Sequence, residues 1–257
     1  MHYSTEFYFQ SDPLVNPNRE GFSKLNADRQ FSMARFSKKY LRDSLTVADI
    51  CCGSGFMADI VPYRKHIGVD HPDMVSLVTR NGRYTRQNTM FVPFDFEDSN
   101  GSLDLGEKVD VVLSFESIEH MNSPEKFIYH VRQNLKDKGR LILSTPNNPY
   151  GNLPVFKDHI REYSLEEMTR ILQSIGFELE DSFAMGVPFG FLIAVLEKNG
   201  IKIRRHDPEV EERSNISLLV DRLVPVRKIY SNIIHYNIGP IKLGDLGTNI
   251  IMVAARR

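Results

Sequence analysis

Val47-Ala48-Asp49-Ile50-Cys51-Cys52-Gly53-Ser54-Gly55 runs an apolar, strand-like segment into a turn with two glycines. A parallel strand handing over to a helix needs such a turn. The backbone bends sharply there and passes close to a ligand, which leaves no room for a Cβ. His66-Ile67-Gly68-Val69-Asp70 then reads as a second short strand ending in a carboxylate. Asp70 falls near the spacing of about twenty residues at which an acidic side chain meets the ribose of a bound nucleotide. A carboxylate there accepts hydrogen bonds from both ribose hydroxyls. The two segments predict an open α/β sheet that binds an adenosine-containing cofactor.

Two cofactor classes fit. Gly53-Ser54-Gly55-Phe56-Met57-Ala58 satisfies G-x-G-x-x-G/A, so a nicotinamide-dependent oxidoreductase is one reading. Asp49 favours the other. A dinucleotide-binding strand is usually apolar at that position, whereas S-adenosylmethionine (SAM) carries an ammonium and a sulfonium that a carboxylate attracts. Asp49, Cys51, Gly53 and Gly55 resemble the first motif of class I SAM-dependent methyltransferases, D/E-x-G-x-G-x-G. Cys51 stands where the first glycine is usual, a position that wants a small residue.

Composition permits an enzyme. The chain has 257 residues, 41% of them hydrophobic, enough for one large core or a core with a modest subdomain. A net charge of −1 supplies no global field to recruit nucleic acid. Adjacent Cys51 and Cys52 make no disulfide framework, no run approaches a membrane span, and Met1–Glu6 lacks signal-peptide character. The expectation is a cytoplasmic protein with a small-molecule substrate.

Alternating strands and helices predict a doubly wound, mostly parallel sheet. A helix is expected over Ala27–Leu41, with Phe31, Ala34, Arg35 and Lys38 at helical spacing. Strands are expected at Thr46–Ile50, Ile67–Asp70, Thr89–Val92, Val109–Phe115 and Leu141–Ser144. Between them fall a short helix stopping by Pro62, another over Pro72–Thr79, and one that starts at Ser123-Pro124-Glu125 and is ended by Gly139. Ser164-Leu165-Glu166-Glu167 forms a capping box before a helix ending at Gly176. Phe177–Ala184 and Thr248–Ala255 would then be the antiparallel pair that closes a seven-stranded, Rossmann-like methyltransferase sheet.

The expected organisation is an arm and helix over 1–41, a SAM-binding core over 42–185, an inserted helical segment over 186–247, and the final core strand over 248–257. An insertion of that length exceeds a hairpin loop. It reads as a substrate-side lid, a homo-oligomer contact or a packing appendage.

Site residues are expected at strand ends, where open α/β sheets bind ligands. Asp95 would accept the adenine amino hydrogens, with Phe94 or Phe96 against the ring. Ser114 and Phe115 would lie beside the methionine part of SAM. Three stretches, Phe115–Met121, Gly139–Asn147 and His159–Ser164, resemble methyltransferases associated with bacterial surface-polysaccharide genes. Glu116-x-x-Glu119-His120 also resembles the metal-binding motif of ubiquinone-pathway O-methyltransferases and of small-RNA 3′-end 2′-O-methyltransferases. In the latter family a downstream histidine completes the site, which carries over to His159.

On a helix, Glu116, Glu119 and His120 would point to one side. Their mixed oxygen and nitrogen donors suit Mg²⁺ or Mn²⁺, with Fe²⁺ or Zn²⁺ less favoured. The bland alternative has the carboxylates favoured by a helix dipole and His120 capping. The expected reaction is attack of a substrate oxygen on the SAM methyl, with the metal, or His120 or His159 as base, assisting loss of the acceptor proton. Arg29, Arg161 and Tyr163 are candidates for holding a substrate anion or glycan hydroxyl. The substrate is expected to be sugar-type or otherwise hydroxylated. RNA 3′-end methylation, a nicotinamide oxidoreductase and a non-catalytic SAM-fold partner are the other readings.

Overall fold

The computed structural model describes residues 22–81, 88–97, 101–148, 159–185 and 249–257. Its strands are β1 (Thr46–Ile50), β2 (Lys65–Asp70), β3 (Thr89–Pro93), β4 (Val109–Phe115), β5 (Leu135–Pro146), β6 (Phe177–Met185) and β7 (Asn249–Arg256). They form one sheet in the order β3-β2-β1-β4-β5-β7-β6. Pairing is parallel from β3 through β5, and β7 runs antiparallel to both β5 and β6. The helices are α1 (Phe22–Ser37), α2 (Phe56–Ile60), α3 (Pro72–Arg80), α4 (Pro124–Asn134) and α5 (Leu165–Ser174). The sheet expected from the sequence is the sheet observed.

Strand alternation builds a core on each face. Val47, Val111, Leu113 and Ile142 pack with Met33 and Phe36 of α1 and Phe56 and Met57 of α2. Ala48, Ile50, Val112 and Leu141 pack on the opposite face with Phe127 and Val131 of α4 and Met168 and Leu172 of α5. Every residue of β1 is buried, as a central parallel strand covered on both faces must be. The strand order reverses between β1 and β4, which opens a crevice at their carboxyl ends. Among the described residues, no helix is long and apolar enough to cross a membrane.

Local signals explain the helix boundaries. Pro72 opens α3 behind the N-cap His71, whose Nδ1 accepts from the backbone N–H of Asp73. The capping box at Ser164 and Glu167 forms in both directions. Two expectations change. The first helix spans Phe22–Ser37 and buries Met33, Ala34 and Phe36, while Phe31 is 47% exposed and meets the Phe56 ring edge-on. The helix after Ser123 ends at Asn134 rather than at Gly139, because Leu135 already pairs with Val109. Gly139 instead lies inside β5 beside a register shift. A Cβ there would sit 2.9 Å from the Lys136 carbonyl oxygen and 3.2 Å from that of Asp110. The insertion expected over 186–247 lies outside the described residues.

Candidate active site

The turn after β1 is built from left-handed backbone: φ is +57° at Cys51, +54° at Gly53 and +78° at Gly55. Such values favour glycine, so Cys51 stands in a conformation that non-glycine residues adopt uncommonly. Backbone shape as well as size therefore explains the usual glycine there. A Cβ at Gly53 would meet no protein atom within 4 Å, so open space faces the turn on that side.

Asp70 is tied into the same turn. Its Oδ2 accepts from the backbone N–H of Gly53 at 2.8 Å and its Oδ1 from that of His71 at 2.7 Å. Burial pushes its carboxyl up to about 6, against the pull of those two N–H donors. Asp49 is 3% exposed. Among the described residues its Oδ2 has no hydrogen-bond partner, and it lies 3.8 Å from Nε2 of the fully buried His66. An orphaned carboxylate oxygen beside the crevice is the acceptor that a cofactor ammonium requires. Together with the open space at Gly53, this donor set fits SAM.

Asp95 follows β3, with Oδ1 accepting from Glu97 N–H at 2.9 Å and Oδ2 3.5 Å from Nε2 of His71. Phe96 is buried against Phe127 and Phe94, whereas Phe94 is only partly buried and is the more accessible ring. Ser114 lies buried at the end of β4, its Oγ without a partner among the described residues, and Phe115 is partly buried beside the α1-side core.

Beyond β4 the expected ligand quartet separates. Glu116 takes left-handed backbone (φ +52°), and only Ile118–His120 is helical, as a single 3₁₀ turn. The i, i+3, i+4 geometry of an α-helix therefore does not apply. The Glu116 carboxylate accepts from Ser144 Oγ and from Asn249 Nδ2, each at 2.7 Å. Glu119, His120 and His159 do converge, each offering a ligand atom within 4.8 Å of the others. The rings of His120 and His159 meet edge to face, with centroids 5.0 Å apart.

Surrounding groups hold this trio. Backbone N–H groups of Ile160 and Arg161 donate to the Glu119 carbonyl, which pins the His159 segment against the 3₁₀ turn. Thr145 Oγ1 donates to Glu119 Oε2 at 3.2 Å. Nδ1 of His159 lies 2.8 Å from Oε1 of the buried Glu162, a contact that orients the ring. Glu162 and Thr145 were not singled out by sequence reasoning. Glu162 carried a signal, the three-residue spacing from His159 that lets a carboxylate reach back to an imidazole. Thr145 carried none.

Tyr163 is fully buried, and that burial pushes its hydroxyl up to about 12. Arg161 pairs with Glu167 at 2.9 Å and lies over the Tyr163 ring. The side chain of Arg29 lies outside the described residues.

A glycine turn after β1, a carboxylate closing β2 and a polar cluster after β4, gathered at one end of a seven-stranded sheet with β7 reversed, are the pattern of the class I SAM-dependent methyltransferases. Residues 25–182 match the methyltransferase-domain family model, and the chain belongs to that family. A relative named a probable S-adenosylmethionine-dependent methyltransferase, from Mycolicibacterium smegmatis, is 32% identical over 159 residues, 59% of this chain and 58% of its own. The mitochondrial ubiquinone biosynthesis O-methyltransferase of Arabidopsis thaliana is 26% identical over 184 residues, 65% of this chain and 57% of its own. The chain thus spans somewhat over half the length of these curated relatives. Magnesium protoporphyrin IX methyltransferase from Synechocystis shares the fold at 15% identity, with a TM-score of 0.58 over 99% of this chain and 95% of its own. The family decides between the two cofactor classes, and the nicotinamide reading falls.

Proposed function

We propose that this chain transfers the SAM methyl group to an oxygen of a hydroxylated small molecule, of sugar or surface-glycan-precursor type, at a site assisted by a divalent metal. The observation that carries the reading is the convergence of Glu119, His120 and His159, with the imidazole of His159 oriented by Glu162. Bound SAM supplies a methyl on a sulfonium leaving group. Asp70 accepts from the ribose, Asp95 from the adenine amino group, and Asp49 attracts the methionine ammonium. These contacts fix the donor, which is the main contribution a methyl transfer asks of its enzyme.

A divalent ion held by Glu119, His120 and His159 would act as a Lewis acid on the acceptor hydroxyl. With Glu116 engaged by Ser144 and Asn249, the donor set is two imidazoles and one carboxylate. That set suits Mn²⁺, Fe²⁺ or Zn²⁺ better than Mg²⁺, which prefers oxygen ligands. Without an ion, His120 or His159 is placed to take the acceptor proton. The sugar-type acceptor rests on the resemblance of the segments around Glu116, Gly139 and His159. O-methylation is supported by the ubiquinone-pathway relative.

The test combines titration calorimetry with SAM and elemental analysis of the purified protein. Micromolar SAM binding and one transition-metal equivalent, removable by chelator without displacing SAM, are expected. SAM binding with no metal taken up by the protein would leave the histidines as base alone.

A further inference from the structure

We infer that His71 is a positioning residue that sets the selectivity of the cofactor pocket for a 6-amino purine, acting through Asp95. This rests on the assignment of Asp70 to the ribose and Asp95 to adenine. His71 occupies the junction of three strand ends. Its backbone N–H holds Asp70 Oδ1 at 2.7 Å while Gly53 N–H holds Oδ2 at 2.8 Å. The Phe94 N–H reaches back to the Asp70 carbonyl at 2.8 Å, which locks the segment bearing Asp95 beside β2.

The imidazole spans the remaining gap. Nδ1 accepts from the backbone N–H of Asp73 at 3.3 Å. A ring nitrogen that accepts carries no proton, so the proton of the neutral ring sits on Nε2. Nε2 lies 3.5 Å from Oδ2 of Asp95, while Oδ1 of Asp95 is held by Glu97 N–H. At 3.5 Å the contact is electrostatic. Among the described residues, the charged groups facing the ring are the carboxylates of Asp70, Asp73 and Asp95. Fixed from both sides, the Asp95 carboxylate is preorganised for an amino donor and is slow to reorient for a purine that lacks one.

His71→Asn separates this role from helix capping. Asparagine is a good N-cap and keeps an acceptor for the Asp73 N–H, but it is too short to reach Asp95. The probes are S-adenosylhomocysteine and its 6-deamino analogue, which has hydrogen at C6 of the purine, measured by calorimetry. The native protein should favour the amino form by roughly tenfold or more, the scale of one charge-assisted hydrogen bond. His71→Asn should cut that ratio to about threefold or less, with analogue affinity and melting temperature unchanged. His71→Gln, whose amide can reach Asp95, should restore part of it. An unchanged ratio in His71→Asn overturns the role of His71. A native protein that does not discriminate, or a ratio untouched by Asp95→Ala, overturns the Asp95 assignment itself and the inference with it.

Discussion

The backbone N–H of Gly53 donates to Oδ2 of Asp70 across 2.8 Å, which makes the turn after β1 and the end of β2 one structural unit. The carboxylate proposed to bind the cofactor ribose thus also holds the loop conformation. A change at either residue is felt at the other.

Asp70→Ala should weaken SAM binding by about a hundredfold or more, since the two charge-assisted bonds to the ribose are each worth roughly 1.5–3 kcal/mol. It also strips the Gly53 N–H of its acceptor, so the turn should loosen. Calorimetry with S-adenosylhomocysteine measures the first effect, and hydrogen exchange at the Gly53 amide the second. Native affinity in this variant would remove Asp70 from the cofactor site.

The carboxyl of Asp70 also dictates a pH dependence. It is raised from 3.8 to about 6, first by burial. A carboxyl raised in the folded state binds more protons folded than unfolded. Ligand-free stability from this group is thus fully present below the unfolded value and falls as pH rises from about 4 to about 6, by roughly 3 kcal/mol. Cofactor binding runs the other way. The ionised form accepts both ribose hydrogens, so SAM affinity should drop by up to about tenfold per unit as pH falls below 6. Melting curves and calorimetry over pH 4.5–7.5 check both slopes, with Asp70→Asn as the flat control.

The proposed metal site separates ligands from neighbours. His120→Ala and His159→Ala should abolish metal uptake. Glu162→Gln should lower metal affinity about tenfold to a hundredfold by weakening the orientation of the His159 ring. Glu116→Gln should leave metal content unchanged, because its carboxylate is held by Ser144 and Asn249. Elemental analysis and competitive chelation give the readings. Metal loss in Glu116→Gln would return that residue to the ligand set.

Gly139→Ala should destabilise the protein by about 1–3 kcal/mol, the usual cost of overpacking a tight site. The new Cβ would sit 2.9 Å from the Lys136 carbonyl oxygen, a backbone atom that cannot swing aside. Denaturant titration measures it.

Met185 pairs directly with Asn249, so the ends of β6 and β7 already meet. Replacing residues 186–248 by a short turn should therefore leave the sheet folded and SAM bound, as antiparallel neighbours accept a hairpin. Methyl transfer should be lost if the segment covers the acceptor. Full turnover in the shortened protein would make it an appendage.

Much of this architecture was legible because the signals are local. The apolar run of β4, the capping box at Ser164 and the glycine turn after β1 each act over a few residues, and each placed its element. Distant partners were not legible. Nothing near Glu116 announces Asn249, 133 residues away, nor the left-handed backbone at Glu116 itself. The helical spacing assumed for Glu116, Glu119 and His120 failed because the segment makes one 3₁₀ turn. The end of α4 was misplaced because Gly139 reads as a helix stop in sequence, while β4 recruits Leu135 into the sheet.

The position of β7 between β5 and β6 orders the birth of the fold. As the chain emerges from its N-terminal side, β5 and β6 are made with the strand that joins them still to come, and each leaves an edge unpaired. Only when 249–256 arrive does the sheet become continuous, and only then does Asn249 reach Glu116. Continuity of the sheet is thus coupled to the arrival of β7, and chains that stop short of it expose the strand edges that recruit other chains.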